Sequence, residues 1–449
     1  MATDPTQSAP ASLYRNREGL GVWEHRGKVA AVGVGHSPTS RRWDSEADTS
    51  VGAWSLIALR QAIDDAGVPP DQIDGLVICP STTTGAHWQE GMPIPWDVVN
   101  SFNATDDPLD GIAKLSTEWI LKNMPELTNV KFTMYGMGCM SNAIVVAAQA
   151  IGDGKANTCL VLKGWHNLTG RYYQGGAAAE ETISGPAKWS SLWGPPASYS
   201  TAMQFQAYCH KYGVNHDMMA PFVVNSKKNG LLFPEGFFYQ NRPEELTVED
   251  YISARWVAKP ANLYDNDMPI MACAAYLFTT AERAKDMKQK PVYILNHAST
   301  NSLYFFPGRV SRGMVATLEE IEAETDSTGR KLLEGAGITP KDLSFENMYD
   351  GFSIFHHFHM EGLRYAGVQR GEALDFYQTD ITNSGPNPVS PSGGNIGSGR
   401  TRTWMHTDSI QQIQGRAGAR QITKKAEIGV SGGPMPDQGN FTVWGASPD

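Results

Sequence analysis

Continuous apolar runs alternate along this chain with stretches whose apolar residues recur every third or fourth position. Lys28 to His36 is an unbroken apolar run of the kind that forms a strand buried on both faces. Within Ser50 to Ala66, Val51, Trp54, Leu56, Ile57, Leu59 and Ile63 fall at helical spacing, and Gly67 supplies the stop. Asp74-Gly-Leu-Val-Ile-Cys-Pro80 returns as a strand. A helix over Ile112 to Lys122, a strand over Val130 to Gly136, an alanine-rich helix opening at Cys139 and a strand over Thr158 to Lys163 continue the alternation. Strand, helix, strand in this order predicts an α/β layer arrangement.

The pattern then breaks and starts again. Residues 164–270 hold a glycine/alanine run, a Trp/Pro-rich patch and helices near 199–212 and 216–230, the composition of an insertion. A strand through Met271 closes the first half and Pro291-Val-Tyr-Ile-Leu-Asn-His opens a second. Ala66-Gly-Val-Pro-Pro-Asp-Gln-Ile-Asp74 is echoed 270 residues further on by Ala336-Gly-Ile-Thr-Pro-Lys-Asp-Leu-Ser344, each after a helical run and before a strand-like one. That echo predicts internal duplication. The second half adds a strand ending at Tyr349, a helix over Ser353 to Ala366 closing at Gly367, and a late strand in Ala426 to Pro436.

Composition narrows the classes. With 449 residues, 41% hydrophobic, 19% charged and 45 glycines, the chain is long enough for two halves with ample core. A net charge of -10 with no basic stripe excludes a nucleic-acid binder. The five cysteines, Cys79, Cys139, Cys159, Cys209 and Cys273, are widely spaced with no Cys-x-x-Cys, which predicts neither a disulfide framework nor a zinc finger and fits a reducing cytoplasm. Residues 1–27 read as a surface extension without signal-peptide layout, and no apolar run reaches the roughly 18 residues of a membrane span. His356 and His359 stand at ligand spacing, but apart from Glu361 the carboxylates of a metal site are missing, so no metal is expected.

The chemistry-bearing stretches are Tyr349-Asp350-Gly351-Phe352, Ser390-Pro391-Ser392-Gly393-Gly394 with Arg400 after it, Cys139 at a helix start, and Ser431-Gly432-Gly433. A thiol at a helix N-terminus has its thiolate favoured by the dipole and free N–H groups, although a small buried residue would also suit position 139. Together with Ala281-Glu-Arg-Ala284 these motifs resemble the thiolase superfamily, in particular the sterol-carrier and lipid-transfer-type branch. The resemblance implies a thiolase fold: two duplicated βαβαβ halves in a layered αβαβα arrangement with an inserted loop domain. The halves would span 28–290, with the insertion at about 164–270, and 291–449. Tyr172, Tyr173, Trp189 and Trp193 in the insertion would line an apolar pocket or pack as core.

The resemblance also exposes substitutions. Where a thiolase has its activating His this chain has Arg400, which cannot act as a base; Ser431 replaces the proton-abstracting Cys, and Tyr349 replaces the oxyanion-hole His. Tyr within Tyr-Asp-Gly-Phe-Ser is similar to the thiolase-like aldolases of steroid side-chain degradation. This implies retro-aldol cleavage of a bulky β-hydroxyacyl-CoA, with Tyr349 and Tyr304 as catalytic groups and Arg400, Ser431, Gly394 and Gly433 as substrate-contacting positions; Cys139, the third catalytic candidate, is a departure from those aldolases, which have lost that cysteine. A phenol ionises near ~10, so Tyr349 as a base calls for a neighbouring cation, and Arg400 is the candidate. Coenzyme A thioester is then the substrate and no cofactor is tightly bound. Partners implied are a second copy in a homodimer and a small OB-fold, zinc-ribbon subunit, making a heterotetramer. Two rivals stay open: a Cys139-dependent acyltransferase or β-ketoacyl-CoA thiolase, and a non-catalytic acyl-CoA binder.

Overall fold

The computed structural model describes residue 15 and residues 17–79, 91–136, 140–168, 197–301, 317–435 and 438–449. Cys139, Tyr304 and the aromatic residues Tyr172, Tyr173, Trp189 and Trp193 lie outside the described residues.

The first half begins with β1 (Val29–His36), α1 (Val51–Ala66), β2 (Gly75–Ile78), α2 (Thr117–Asn123), β3 (Phe132–Tyr135), α3 (Met140–Gly152) and β4 (Thr158–Trp165). Between β4 and the next long strand come α4 (Ala197–Tyr212), α5 (Ala220–Gly230) and a small hairpin of β5 (Trp256–Ala258) and β6 (Ala261–Asn262). The chain then runs through β7 (Ala272–Thr280), β8 (Val292–Asn301), α6 (Leu318–Ala336), β9 (Phe345–Met348), α7 (Ser353–Leu363), α8 (Gly394–Ser398), α9 (Trp404–Gln414), β10 (Ile428–Met435) and β11 (Gln438–Gly445).

Local chemistry sets several boundaries. Ser50 accepts a hydrogen bond from the Ala53 amide to start α1, and Gly67 ends it at φ +69°; Gly337 ends α6 the same way at φ +65°. Two expected helices differ. The one expected from Ile112 starts at Thr117, because the Ser116 side chain caps it by accepting from the Trp119 amide. The one expected to reach Ala366 stops at Leu363, where Arg364 turns left-handed at φ +53°.

Apart from the β5–β6 pair, the described strands form one sheet in the order β3-β2-β4-β7-β1-β8-β11-β10-β9. Its two parts meet through only the pairs Ala30–Tyr293 and Ala31–Val292 of β1 and β8. On each side of that seam the frame repeats. The Asp74 amide donates to the Thr158 carbonyl (3.1 Å), and the Ser344 amide to the Ile428 carbonyl (2.7 Å), positions related by the spacing of the sequence echo. The side chains match too: Asp74 accepts from the Asn157 and Thr158 amides at 2.9 Å, and Ser344 Oγ from the Glu427 and Ile428 amides at 3.1 and 3.3 Å. Helices α3 and α9 share one apolar cluster with strands of both parts, including Val77, Val161, Tyr276, Ile294, Phe345 and Trp444. They are the middle helical layer between two sheet faces, and the opposite faces are covered by α1 on one side and α6 and α7 on the other.

Candidate functional site

β9 carries two charged or polar side chains into a fully buried setting, Glu346 and Asn347. Burial of such groups is tolerated only when their hydrogen bonds are made, and here they are made to the turn that opens α8. Glu346 accepts from the Met348 amide (2.8 Å) and the Ser390 amide (2.9 Å) and meets His356 Nε2 at 3.2 Å. Asn347 Oδ1 accepts from the Ser392 amide (3.1 Å), while its Nδ2 donates to Asp408 (3.0 Å) and Ser409 (3.2 Å) on α9. The strand therefore fixes the Ser390 to Gly394 turn and the start of α8 relative to itself.

The next residue is Tyr349, whose amide donates to the Gly432 carbonyl at 2.9 Å. Its ring is buried and has glycine on two sides. A Cβ at Gly433 would lie 2.5 Å from Tyr349 Cβ, and a Cβ at Gly351 would lie 2.0 Å from Tyr349 Oη. The ring thus folds over its own chain into space that only glycine leaves open. The same hypothetical Gly351 Cβ would lie 2.7 Å from Asp267 Oδ2, so phenol and carboxylate converge on one point. Asp267 is held there by its amide, which donates to the Gly351 carbonyl at 3.0 Å.

Two arginines adjoin this pair. Arg400 Nε is 3.7 Å from Asp267 Oδ2, both side chains nearly without exposure, and the Arg400 amide donates to the Met268 carbonyl at 2.8 Å. The Arg402 guanidinium lies 5.7 Å from the centre of the Tyr349 ring and 5.4 Å from that of Trp165. Below them Asp350 accepts from the Asn395 amide (2.6 Å) and the Ile396 amide (3.3 Å) at the start of α8. A Cβ at Gly394 would lie 2.0 Å from Asp350 Oδ2, which explains the glycine there. Burial pushes the Asp350 carboxyl up to about 8 against the pull of those two amides, and the charge of Asp267 adds to the rise.

Ser431 sits beside Asn347 in the β9–β10 ladder. Its Oγ accepts from Trp444 Nε1 (2.7 Å) and lies 2.8 Å from His406 Nδ1, whose Nε2 lies 2.7 Å from Ser141 Oγ on α3. Burial lowers His406 to about 3, so the ring is neutral and offers one donor and one acceptor to these two hydroxyls.

Of the residues singled out from sequence, Tyr349, Arg400, Gly394 and Gly433 are gathered around Asp267 and Asp350, and Ser431 lies on the adjoining strand in its own network. Asp267, Arg402 and His406 were not singled out; Asp267 lies in a stretch read as insertion, without periodicity to mark it. Among the described residues no cluster of three metal-ligating side chains occurs, and His356 instead meets Tyr377 Oη at 2.7 Å.

Residues 314–438 match the family described as thiolase C-terminal domain-like. The chain is similar to the 17-hydroxy-3-oxo-4-pregnene-20-carboxyl-CoA lyase of Mycobacterium tuberculosis, 25% identical over 90% of this chain and 97% of that one. It is also similar to the steroid side-chain-cleaving aldolase of Thermomonospora curvata, 24% identical over 83% of this chain and 86% of that one. Among solved structures, the Ltp2-ChsH2(DUF35) aldolase superposes with a TM-score of 0.72 at 21% identity, over 93% of this chain and 98% of that one. This last likeness carries the expected layered fold.

Proposed function

We propose that the chain is a member of the thiolase superfamily and, within it, a thiolase-like aldolase, a carbon–carbon lyase. Its substrate is a bulky β-hydroxyacyl-CoA, a steroid side-chain thioester, cleaved by retro-aldol reaction to a ketone and a shorter acyl-CoA. The observation that carries the reading is the Tyr349 phenol, enclosed by Gly351 and Gly433 and converging with Asp267 beside Arg400. The two curated relatives named for lyase and aldolase activity support it.

Retro-aldol cleavage needs a base at the β-hydroxyl, charge stabilisation for the thioester enolate, and a proton returned to the α-carbon. Tyr349 Oη takes the hydroxyl proton. The Cα–Cβ bond then breaks, its electron pair passing into the thioester as enolate while the oxygen left on Cβ becomes the ketone carbonyl. Arg402 and Arg400 place positive charge beside the site, and Tyr304 is the second phenol of the reading. Ser431, whose hydroxyl is engaged by Trp444 and His406, belongs to the frame that positions β10. The reaction is redox-neutral and proceeds by proton transfers, so it requires no tightly bound cofactor.

A homodimer is part of the proposal. Among the described residues β3 is one of the two terminal strands of the sheet, and Met134 and Tyr135 on it are 46% and 44% exposed, the features of a strand that pairs with a second copy. A DUF35 subunit is named with the aldolase of similar structure, and we assign this chain a partner of that kind, an OB-fold, zinc-ribbon protein completing a heterotetramer. The four cysteines among the described residues are buried free thiols, in accord with the cytoplasm. No described helix is long and apolar enough to cross a membrane.

The test is turnover of a β-hydroxyacyl-CoA bearing a tertiary alcohol, with the partner co-expressed. Tyr349→Phe should lose about 10²–10⁴-fold in kcat, and Cys139→Ala should stay active. Loss of activity in Cys139→Ala, with an acylated cysteine trapped in the wild type, would move the protein to the acyltransferases.

A further inference from the structure

The Tyr349 phenol gains a proton when it takes one from the substrate, and something must relieve it of its own. Asp267 is the carboxylate placed to do so. Its Oδ2 and Tyr349 Oη would lie 2.7 and 2.0 Å from one missing methyl, that of Gly351. Its backbone is tied to the same residue by the amide bond to the Gly351 carbonyl, and its side chain is 1% exposed, so water does not compete for it. Arg400 Nε at 3.7 Å favours the ionised carboxylate, the form that can accept.

We propose that Asp267 is a positioning residue acting through Tyr349: its carboxylate accepts the phenol proton as the phenol accepts the proton of the substrate's β-hydroxyl. The inference rests on the aldolase reading above. In the forward step one proton moves from the hydroxyl to Tyr349 Oη and one from Tyr349 Oη to Asp267 Oδ2, while the Cα–Cβ pair becomes the enolate. In the return step the Asp267 proton passes back to Tyr349 and the Tyr349 proton goes to the α-carbon, restoring both groups. Arg400 Nε lies 3.7 Å from Asp267 Oδ2, Tyr349 Oη approaches Asp267 across Gly351, the charge of Asp267 raises Asp350, and the Arg402 guanidinium lies 5.7 Å from the Tyr349 ring centre. Asp350, raised to about 8, is the protonated neighbour in this arrangement.

The experiment uses the chain with its co-expressed partner. Asp267→Asn should lower kcat about 100-fold or more with KM little changed, and kcat should fall at low pH in the wild type but not in the variant. The double variant Asp267→Asn/Tyr349→Phe should be no slower than Tyr349→Phe alone, because both act on one proton path. Wild-type kcat and pH profile in Asp267→Asn, or additive losses in the double variant, would overturn the inference and leave the aldolase reading standing. Gly351→Ala puts a methyl against both groups and reads the same contact if Asp267→Asn does not fold; a wild-type rate there also overturns it. Exchange of the α-protons of propionyl-CoA with deuterated water separates the two claims. Exchange that needs both Tyr349 and Asp267, in a protein that cleaves no β-hydroxyacyl-CoA, would sink the aldolase reading and keep the proton path. Absence of both activities in the wild type takes both down.

Discussion

The two halves of the molecule use one frame and hold it together by different physics. In the first, β2 places Leu76 and Val77 in the core; in the second, β9 places Glu346 and Asn347 at the equivalent points of the repeat. The middle-layer helices differ in the same sense. α3 buries Met140, Ala143, Ile144, Ala147, Ala148 and Ile151 with the polar Ser141, Asn142 and Gln149, whereas α9 adds to its buried Trp404, Met405, Ile410 and Ile413 the side chains of His406, Asp408, Ser409 and Gln412, each hydrogen-bonded. Apolar burial is strong but non-directional. Hydrogen bonds in a dry interior are directional, and a partner lost there is expensive. The half that carries Tyr349 is the half whose strand ends and turns are fixed by directional bonds.

The comparison breaks first at Asp408, which pairs with Arg420 and also accepts from Asn347. Both members of the pair are buried, and burial lowers Arg420 to about 10. Asp408→Ala should cost about 3–5 kcal/mol, since it strands a buried charge; urea unfolding measures it, and a cost under about 1 kcal/mol would mean the polar half is not held this way. Next is the pH dependence of Asp350, whose carboxyl moves from 3.8 to about 8 on folding. Below the unfolded value both states are protonated and the full stability is present. Between the two values the folded state keeps a proton that the unfolded state releases, so stability falls as pH rises, by up to about 1.4 kcal/mol per pH unit. Asp350→Asn should flatten that slope between roughly pH 4 and pH 8 in chemical-denaturation curves. The smallest effect compares the matched caps. Asp74→Ala should cost about 1.5–3 kcal/mol and Ser344→Ala about 0.5–1.5 kcal/mol, as a charged acceptor outweighs a neutral one; equal losses would remove the distinction between the halves at this point.

The chain's own pattern determined the α/β alternation, the duplication seen in Ala66 to Asp74 and Ala336 to Ser344, and the helix stop at Gly67. All of these follow from local preferences or from apolar periodicity, which reports burial one segment at a time. Tyr349, Arg400, Gly394 and Gly433 were legible as motif positions, and their gathering around two carboxylates was not. α9 escaped notice because buried polar side chains are interspersed among its apolar Trp404, Met405, Ile410 and Ile413 and blur the period. Helix ends at Thr117 and Leu363 turned on one capping serine and one left-handed arginine. Asp267, Arg402 and His406 acquire meaning only when residues far apart in the chain are brought within bonding distance, and that is decided by tertiary packing because a buried polar group is defined by the partner across from it.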